Sequence, residues 1–183
     1  MNDDRYLEDA RLQLRKIKAM GDRALHQAGD GRLFATPDPE SNSLAILMKH
    51  ISGNLRSRWT RFLETDGEKP DRNRDGEFET GPDDTPDRLR ERWEQGWKIL
   101  FETLDSLRPG DLERTVTIRR EPHSVLQAIN RQISHYSAHV GQMIYLAKHL
   151  VGPGWQSMSI PKGKSKEYDV AKDGKPYLAE PKS

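Results

Sequence analysis

The chain has 183 residues, enough for one domain with a buried core or for one domain and a tail. Its hydrophobic fraction is 33% and its charged fraction 32%, so a core must be built from narrow helix stripes with heavily charged outer faces. With 30 basic against 29 acidic residues the formal net charge is +1, which gives no footing for nucleic acid or an anionic membrane; the lack of cysteine excludes disulfides, thiolate ligands and a cysteine nucleophile together.

From Asp3 to about Ala28, Tyr6, Leu7, Leu14, Ile17, Met20 and Leu25 recur at helical spacing among charged residues, which predicts a first helix. Gly29-Asp30-Gly31 stops it and Thr36-Pro37-Asp38-Pro39 forbids its resumption, with Leu33 and Phe34 expected to plug one end of the core. Ser41, Asn42 and Ser43 are candidate N-caps for a second helix. Its stripe of Leu44, Leu47, Met48, Ile51, Leu55, Arg58, Trp59 and Phe62 predicts a run to about Glu64. His50 projects to the edge of that stripe with Asn54 one turn on, a polar pair that needs partners because burying unpaired polar groups costs free energy.

Thr65 to Pro86 is charged, punctuated by Gly and Pro, and almost without apolar residues. A connection of about twenty residues in a small domain is usually functional or disordered. Asp71-Arg72-Asn73-Arg74-Asp75-Gly76 copies the first half of a calcium loop, but Pro82 stands at the twelfth position, where a bidentate Glu belongs. The segment therefore reads as a solvated loop or a lid over a pocket mouth.

Thr85 caps a third helix with Pro86 at its first position, running to about Leu107 with Leu89, Trp93, Trp97, Leu100, Phe101 and Leu104 facing inward. Arg114 to Arg119 alternates with period two, which predicts one strand or a small hairpin ending near His123. Pro122 and Ser124 open a fourth helix that Gly152-Pro153-Gly154 closes. The expectation is an all-α four-helix bundle over 1–154, with a short strand or hairpin between helices three and four. Residues 155–183 are expected to form an extended or partly disordered tail whose start is anchored by Trp155, Met158 and Ile160. No apolar run approaches the ~20 residues of a membrane span and the N-terminus is charged from the outset, so a cytoplasmic protein is expected.

The fourth helix carries the chemistry. Ile129, Ile133, Tyr136, Val140, Met143, Ile144, Ala147 and Leu150 form one stripe, and His135 and His139, four residues apart, stack one turn apart on its flank. With His50 from helix two they would make three neutral imidazoles, a set that holds a divalent ion and leaves a position open for water or substrate. Asn54, Tyr136 and Gln142 lie at spacings from which they could orient an imidazole or a bound water. Spacing alone also fits a plain polar flank, because HxxxH without the glutamate of HExxH is weakly specific. His26, His123 and His149 fall at helix ends or exposed faces and read as structural or solvated.

The KHISGNLRSRW helix, the later HYSAHVGQMIYLAKHL helix and the four-helix punctuation resemble the DinB/YfiT-like superfamily of metal-binding four-helix proteins. The stretches FLETDGEKPDRNRDGEF, TVTIRREPHSVLQAINRQISHYSAHVGQ and SIPKGKS are similar to an uncharacterised bacterial branch of it. In that superfamily a histidine of helix two and an HxxxH pair of helix four bind a divalent ion, and these positions match His50, His135 and His139. The resemblance implies a divalent ion, a homodimer, and, because some members use low-molecular-weight thiols, a thiol-dependent S-transferase acting on small electrophiles; zinc, nickel, iron and manganese all accept imidazole ligands. The ion would lower the pKa of the incoming thiol, and Arg56, Arg58, Arg72 and Arg74 are the candidates to meet a carboxylate of the incoming molecule. A metal-dependent hydrolase, or a non-catalytic small-ligand or stress-response binding protein, are the alternatives, since function belongs to the site rather than the fold.

Overall fold

The computed structural model describes residues 3–169. Four helices, α1 (Asp3–Ala28), α2 (Leu44–Trp59), α3 (Pro86–Ser106) and α4 (Val125–Val151), are joined by connections that carry three short 3-10 turns, and a fourth such turn follows α4. An antiparallel hairpin of β1 (Thr115–Ile118) and β2 (Glu121–Ser124) stands immediately before α4. The hairpin expectation is met, but Pro122 lies in β2 opposite Thr117 rather than in the opening of the helix. Among the described residues no helix is long and apolar enough to cross a membrane. The part of the expected tail from 170 to 183 lies outside the described residues.

Helices α2, α3 and α4 begin where their capping residues dictate. Ser43, the last of the three candidates, accepts from Ile46 N; Thr85 accepts from Arg88 N with Pro86 in the first turn; Ser124 and Gln127 form a reciprocal capping box. Helix α2 stops at Trp59, five residues before the expected Glu64, because Thr60 turns extended and Arg61 takes a left-handed φ of 48°. That turn folds Phe62 back onto Trp59, ring centroids 4.8 Å apart, and buries it.

The apolar stripes meet in one core that includes Leu7, Leu14, Ile51, Leu55, Trp93, Trp97, Ile129 and Val140. Helix α1 packs along α4 and α2 packs along α3, while α2 meets α4 over a shorter stretch. Close approach of α2 and α3 depends on Gly96: a Cβ there would lie 3.1 Å from Leu55 Cβ and 3.4 Å from Ser52 Cα. Beyond α4, Met158 is buried and Trp155 packs on the core, but Ile160 is 40% exposed and anchors nothing.

The connection from α2 to α3 is largely exposed to solvent, but it is fastened at its start, middle and end. At its start Asp66 accepts from the backbone N–H groups of Glu68, Arg119 and Arg120, and Gly67 N donates to Thr117 O at 2.8 Å, tying it to the hairpin. At its end Asp84 takes Lys49 Nζ at 2.7 Å and Arg92 Nη1 at 3.1 Å. Between them, the 3-10 turn Asp75–Phe78 buries Glu77 against α2. The calcium-like ligands are engaged otherwise: Asp71 pairs with Arg56 at 2.7 Å and Asn73 Oδ1 accepts from Gly76 N.

Candidate metal centre

His50 comes from the middle of α2, and His135 and His139 from consecutive turns of α4, where the two helices face each other. One ligand atom from each lies within 4.8 Å of the other two. His50 Nε2 and His135 Nε2 are 3.3 Å apart, and the ring centroids of His50 and His139 are 4.7 Å apart. A tetrahedral ion with metal–nitrogen bonds of about 2.0–2.1 Å separates its ligand nitrogens by about 3.4 Å, so this cluster is close enough to hold one.

The far nitrogens of two rings are already engaged. His50 Nδ1 donates to Glu77 Oε2 at 2.9 Å, and His139 Nδ1 lies 3.2 Å from Gln142 Oε1, so each Nε2 keeps its lone pair for the centre. His135 Nδ1 is buried and has no hydrogen-bond partner among the described residues. Burial first, then the proximity of His139, His50, Arg58 and Arg72, pushes the His135 imidazole down to about 3. Burial and His50 likewise hold His139 below its ordinary value, with Gln142 opposing. At neutral pH these two rings therefore carry lone pairs rather than positive charge, as metal ligation requires.

Glu77 is held harder than its position in a charged loop would suggest. Arg72 donates to it twice, Nε to Oε1 and Nη2 to Oε2, each at 2.8 Å. Burial would raise this carboxyl, but the bonds from His50 and Arg72 outweigh it and keep the group below its ordinary value. Phe78, the next residue, lies against His50 with centroids 4.9 Å apart, and the Arg74 guanidinium sits over the Phe78 ring at 5.3 Å.

Of the expected orienting residues, Gln142 meets an imidazole, whereas Asn54 and Tyr136 meet each other. The Tyr136 hydroxyl donates to Asn54 Oδ1 at 2.9 Å and accepts from Trp59 Nε1 at 3.0 Å, in a buried chain beside the His135 ring. The four arginines considered for a carboxylate divide. Arg58 is buried, with Nε and Nη1 unpartnered among the described residues, and Arg72 is committed to Glu77 and Glu68. Arg56 pairs with Asp71 and Arg74 covers Phe78. His26 and His149 are exposed, and His123 lies on β2 beside Glu121, all away from the centre.

A cavity of about 800 Å³ adjoins the centre through Gln142 and is lined also by Leu47, Ala138 and Tyr145. Another of about 770 Å³ lies on the far side of Glu77, with Lys49, Ser52 and Gly53 in its wall. None of the three imidazoles lines either cavity.

The sequence profile of a family described as "Protein of unknown function (DUF1572)" matches residues 2–164. The chain belongs to the DUF1572 family. The matched span contains all three imidazoles together with Glu77, Arg72 and Gln142. No curated protein and no solved structure matches the chain. In this DUF1572 chain the contacts that periodicity did not expose are Glu77, Arg72 and Gly53. The first two sit in a segment crowded with similar charges, and their burial depends on the tertiary fold. A glycine three residues after a candidate ligand on a helix was the one available signal.

Proposed function

We propose that this DUF1572 chain is a divalent-metal protein with a DinB-like four-helix bundle, acting as a thiol-dependent S-transferase on small electrophiles. The observation that carries the reading is the convergence of three imidazole nitrogens from two helices, with His50 and His139 each tied back through Nδ1. A bound zinc, nickel, iron or manganese ion would supply Lewis acidity at an open position, lowering the pKa of a thiol that reaches it. His50, His135 and His139 would hold the ion. Glu77 and Gln142 orient two of the rings, and Phe78 shields one face of His50 from water. The cavity that adjoins Gln142 has a size that suits a small ligand, but the imidazoles lie outside its lining, so an electrophile held in it would extend past Gln142 to the open position of the ion. There the thiol sulfur forms a new bond to carbon, the leaving group departs with the electron pair, and the thiol proton is lost to solvent. The motif likeness also carries a homodimer into this proposal.

Hydrolysis is the weaker reading on a specific ground. The carboxylate beside the ligands, Glu77, has both oxygens occupied by Arg72 and His50 and a lowered proton affinity, the opposite of what a general base needs.

Metal analysis of purified protein should find close to one ion per chain, lost in His135→Ala and His139→Ala. Cobalt- or nickel-substituted protein titrated with a low-molecular-weight thiol should develop a sulfur-to-metal absorption band, and turnover of a chromogenic electrophile should depend on that thiol. Equal and negligible metal in wild type and variants would refute the metal reading; turnover indifferent to thiol would refute the transferase.

A further inference from the structure

Three separate features of the chain serve one contact at this centre. Glu77, 7% exposed in a connection otherwise dominated by exposed charge, reaches His50 Nδ1 at 2.9 Å. It arrives across the face of α2 at Gly53, where a Cβ would lie 2.1 Å from Glu77 Oε1 and 2.7 Å from its Cδ, so no other residue leaves the passage open. Arg72, whose side chain is 5% exposed, grips both oxygens and keeps the buried carboxylate charged. A salt bridge serving only to hold the loop would need neither the bare helix position nor the histidine. The Glu77 carboxylate is aimed at the ring whose opposite nitrogen faces His135.

Resting on the metal reading above, we propose that Glu77 is a positioning residue of the centre, and that through it the docking of the 66–84 connection and the binding of the ion are one linked event. By accepting from Nδ1, Glu77 fixes the His50 tautomer, leaves Nε2 bare toward the ion and raises its basicity. Linkage is reciprocal: whatever affinity the ion gains from the docked carboxylate, the docked connection gains from the ion. The inserted turn also brings Phe78 against His50, so docking shields the centre at the same time as it completes it.

The test uses the full chain and zinc(II) as probe. Affinity is measured by competition with a chromophoric chelator, and backbone hydrogen exchange over 66–84 is followed with and without the ion. Glu77→Gln and Gly53→Ala should each bind zinc roughly 10–100-fold more weakly than wild type. Glu79→Gln, at an exposed carboxylate two residues on, should bind as wild type does. Zinc should slow exchange over 66–84 in wild type and fail to do so in Glu77→Gln and in His139→Ala. Cobalt(II)-loaded Glu77→Gln should show a shifted ligand-field band, which a merely structural loop contact would not produce. If Glu77→Gln does not fold, Gly53→Ala decides alone, since alanine favours the helix it enters and its loss of affinity cannot come from unwinding α2. Glu77→Gln or Gly53→Ala binding zinc as wild type does, while His139→Ala has lost it, would overturn this proposal and leave the metal reading standing. A wild type that binds no zinc would overturn both.

Discussion

Tyr136 shows how a single hydroxyl can join two helices beside the imidazoles without a hydrogen bond to any of them. It is fully buried, donates to Asn54, accepts from Trp59, and burial pushes its phenol well above the usual range, so it stays a neutral donor. Tyr136→Phe leaves Asn54 Oδ1 and Trp59 Nε1 without this partner, and a buried polar atom so stranded costs about 1–3 kcal/mol. Urea unfolding should record a loss of that size, with zinc affinity little changed because no imidazole loses a hydrogen bond. Asp66 works at the same scale. Burial would raise its carboxyl, but the N–H groups of Glu68, Arg120 and Arg119 and the Thr117 hydroxyl bring it down to about 2. A carboxyl depressed on folding stabilises fully above its ordinary value of 3.8 and loses that contribution as pH falls towards 2. Stability followed down to about pH 2 should therefore fall more steeply in wild type than in Asp66→Asn.

Among the elements, the hairpin owes its turn to that same carboxylate. Arg119 and Arg120 both adopt positive φ, 54° and 66°, conformations that a two-residue hairpin turn requires and that Asn-Gly usually supplies. Nothing local in TVTIRREPHS marks them for it; the acceptor lies far back in the chain, so the strand pattern was legible and its turn was not. The same division runs through the helices. Ser43, Thr85 and Ser124 announce their starts through side chains that satisfy the first N–H groups, a local chemistry. The end of α2 has no glycine or proline to mark it and is set by Phe62 seeking Trp59. His50, His135 and His139 were readable as periodic positions. Glu77 was not, because its burial is decided by a glycine on another element. At the α2–α3 crossing, Gly96→Ala should gain roughly 1 kcal/mol of helix propensity and lose about 1–3 kcal/mol to the forced separation from Leu55 and Ser52. The expected result is a small net loss in a urea titration, felt most where α2 and α3 touch.

For the molecule as a whole, the histidines lie on either side of the seam between its two closely packed helix pairs. His50 belongs to the α2 and α3 pair, His135 and His139 to the α1 and α4 pair. An ion between them would fasten one pair to the other. Zinc at about a hundred times its dissociation constant should add roughly 2.7 kcal/mol and raise the melting temperature by roughly 5–10 °C, an increase that His139→Ala should abolish.

The 66–84 stretch between α2 and α3 is fastened by acids, Asp66 to backbone, Glu77 to His50 and Arg72, Asp84 to Lys49 and Arg92, with almost no apolar side chain of its own beyond Phe78. Its release would wet little hydrocarbon. The denaturant slope and the heat capacity of unfolding both scale with exposed surface, so neither will register that release. A calorimeter would see one cooperative transition while the cover over His50 had already lifted, and only a local reporter, such as a fluorophore placed near Phe78, would tell the two apart.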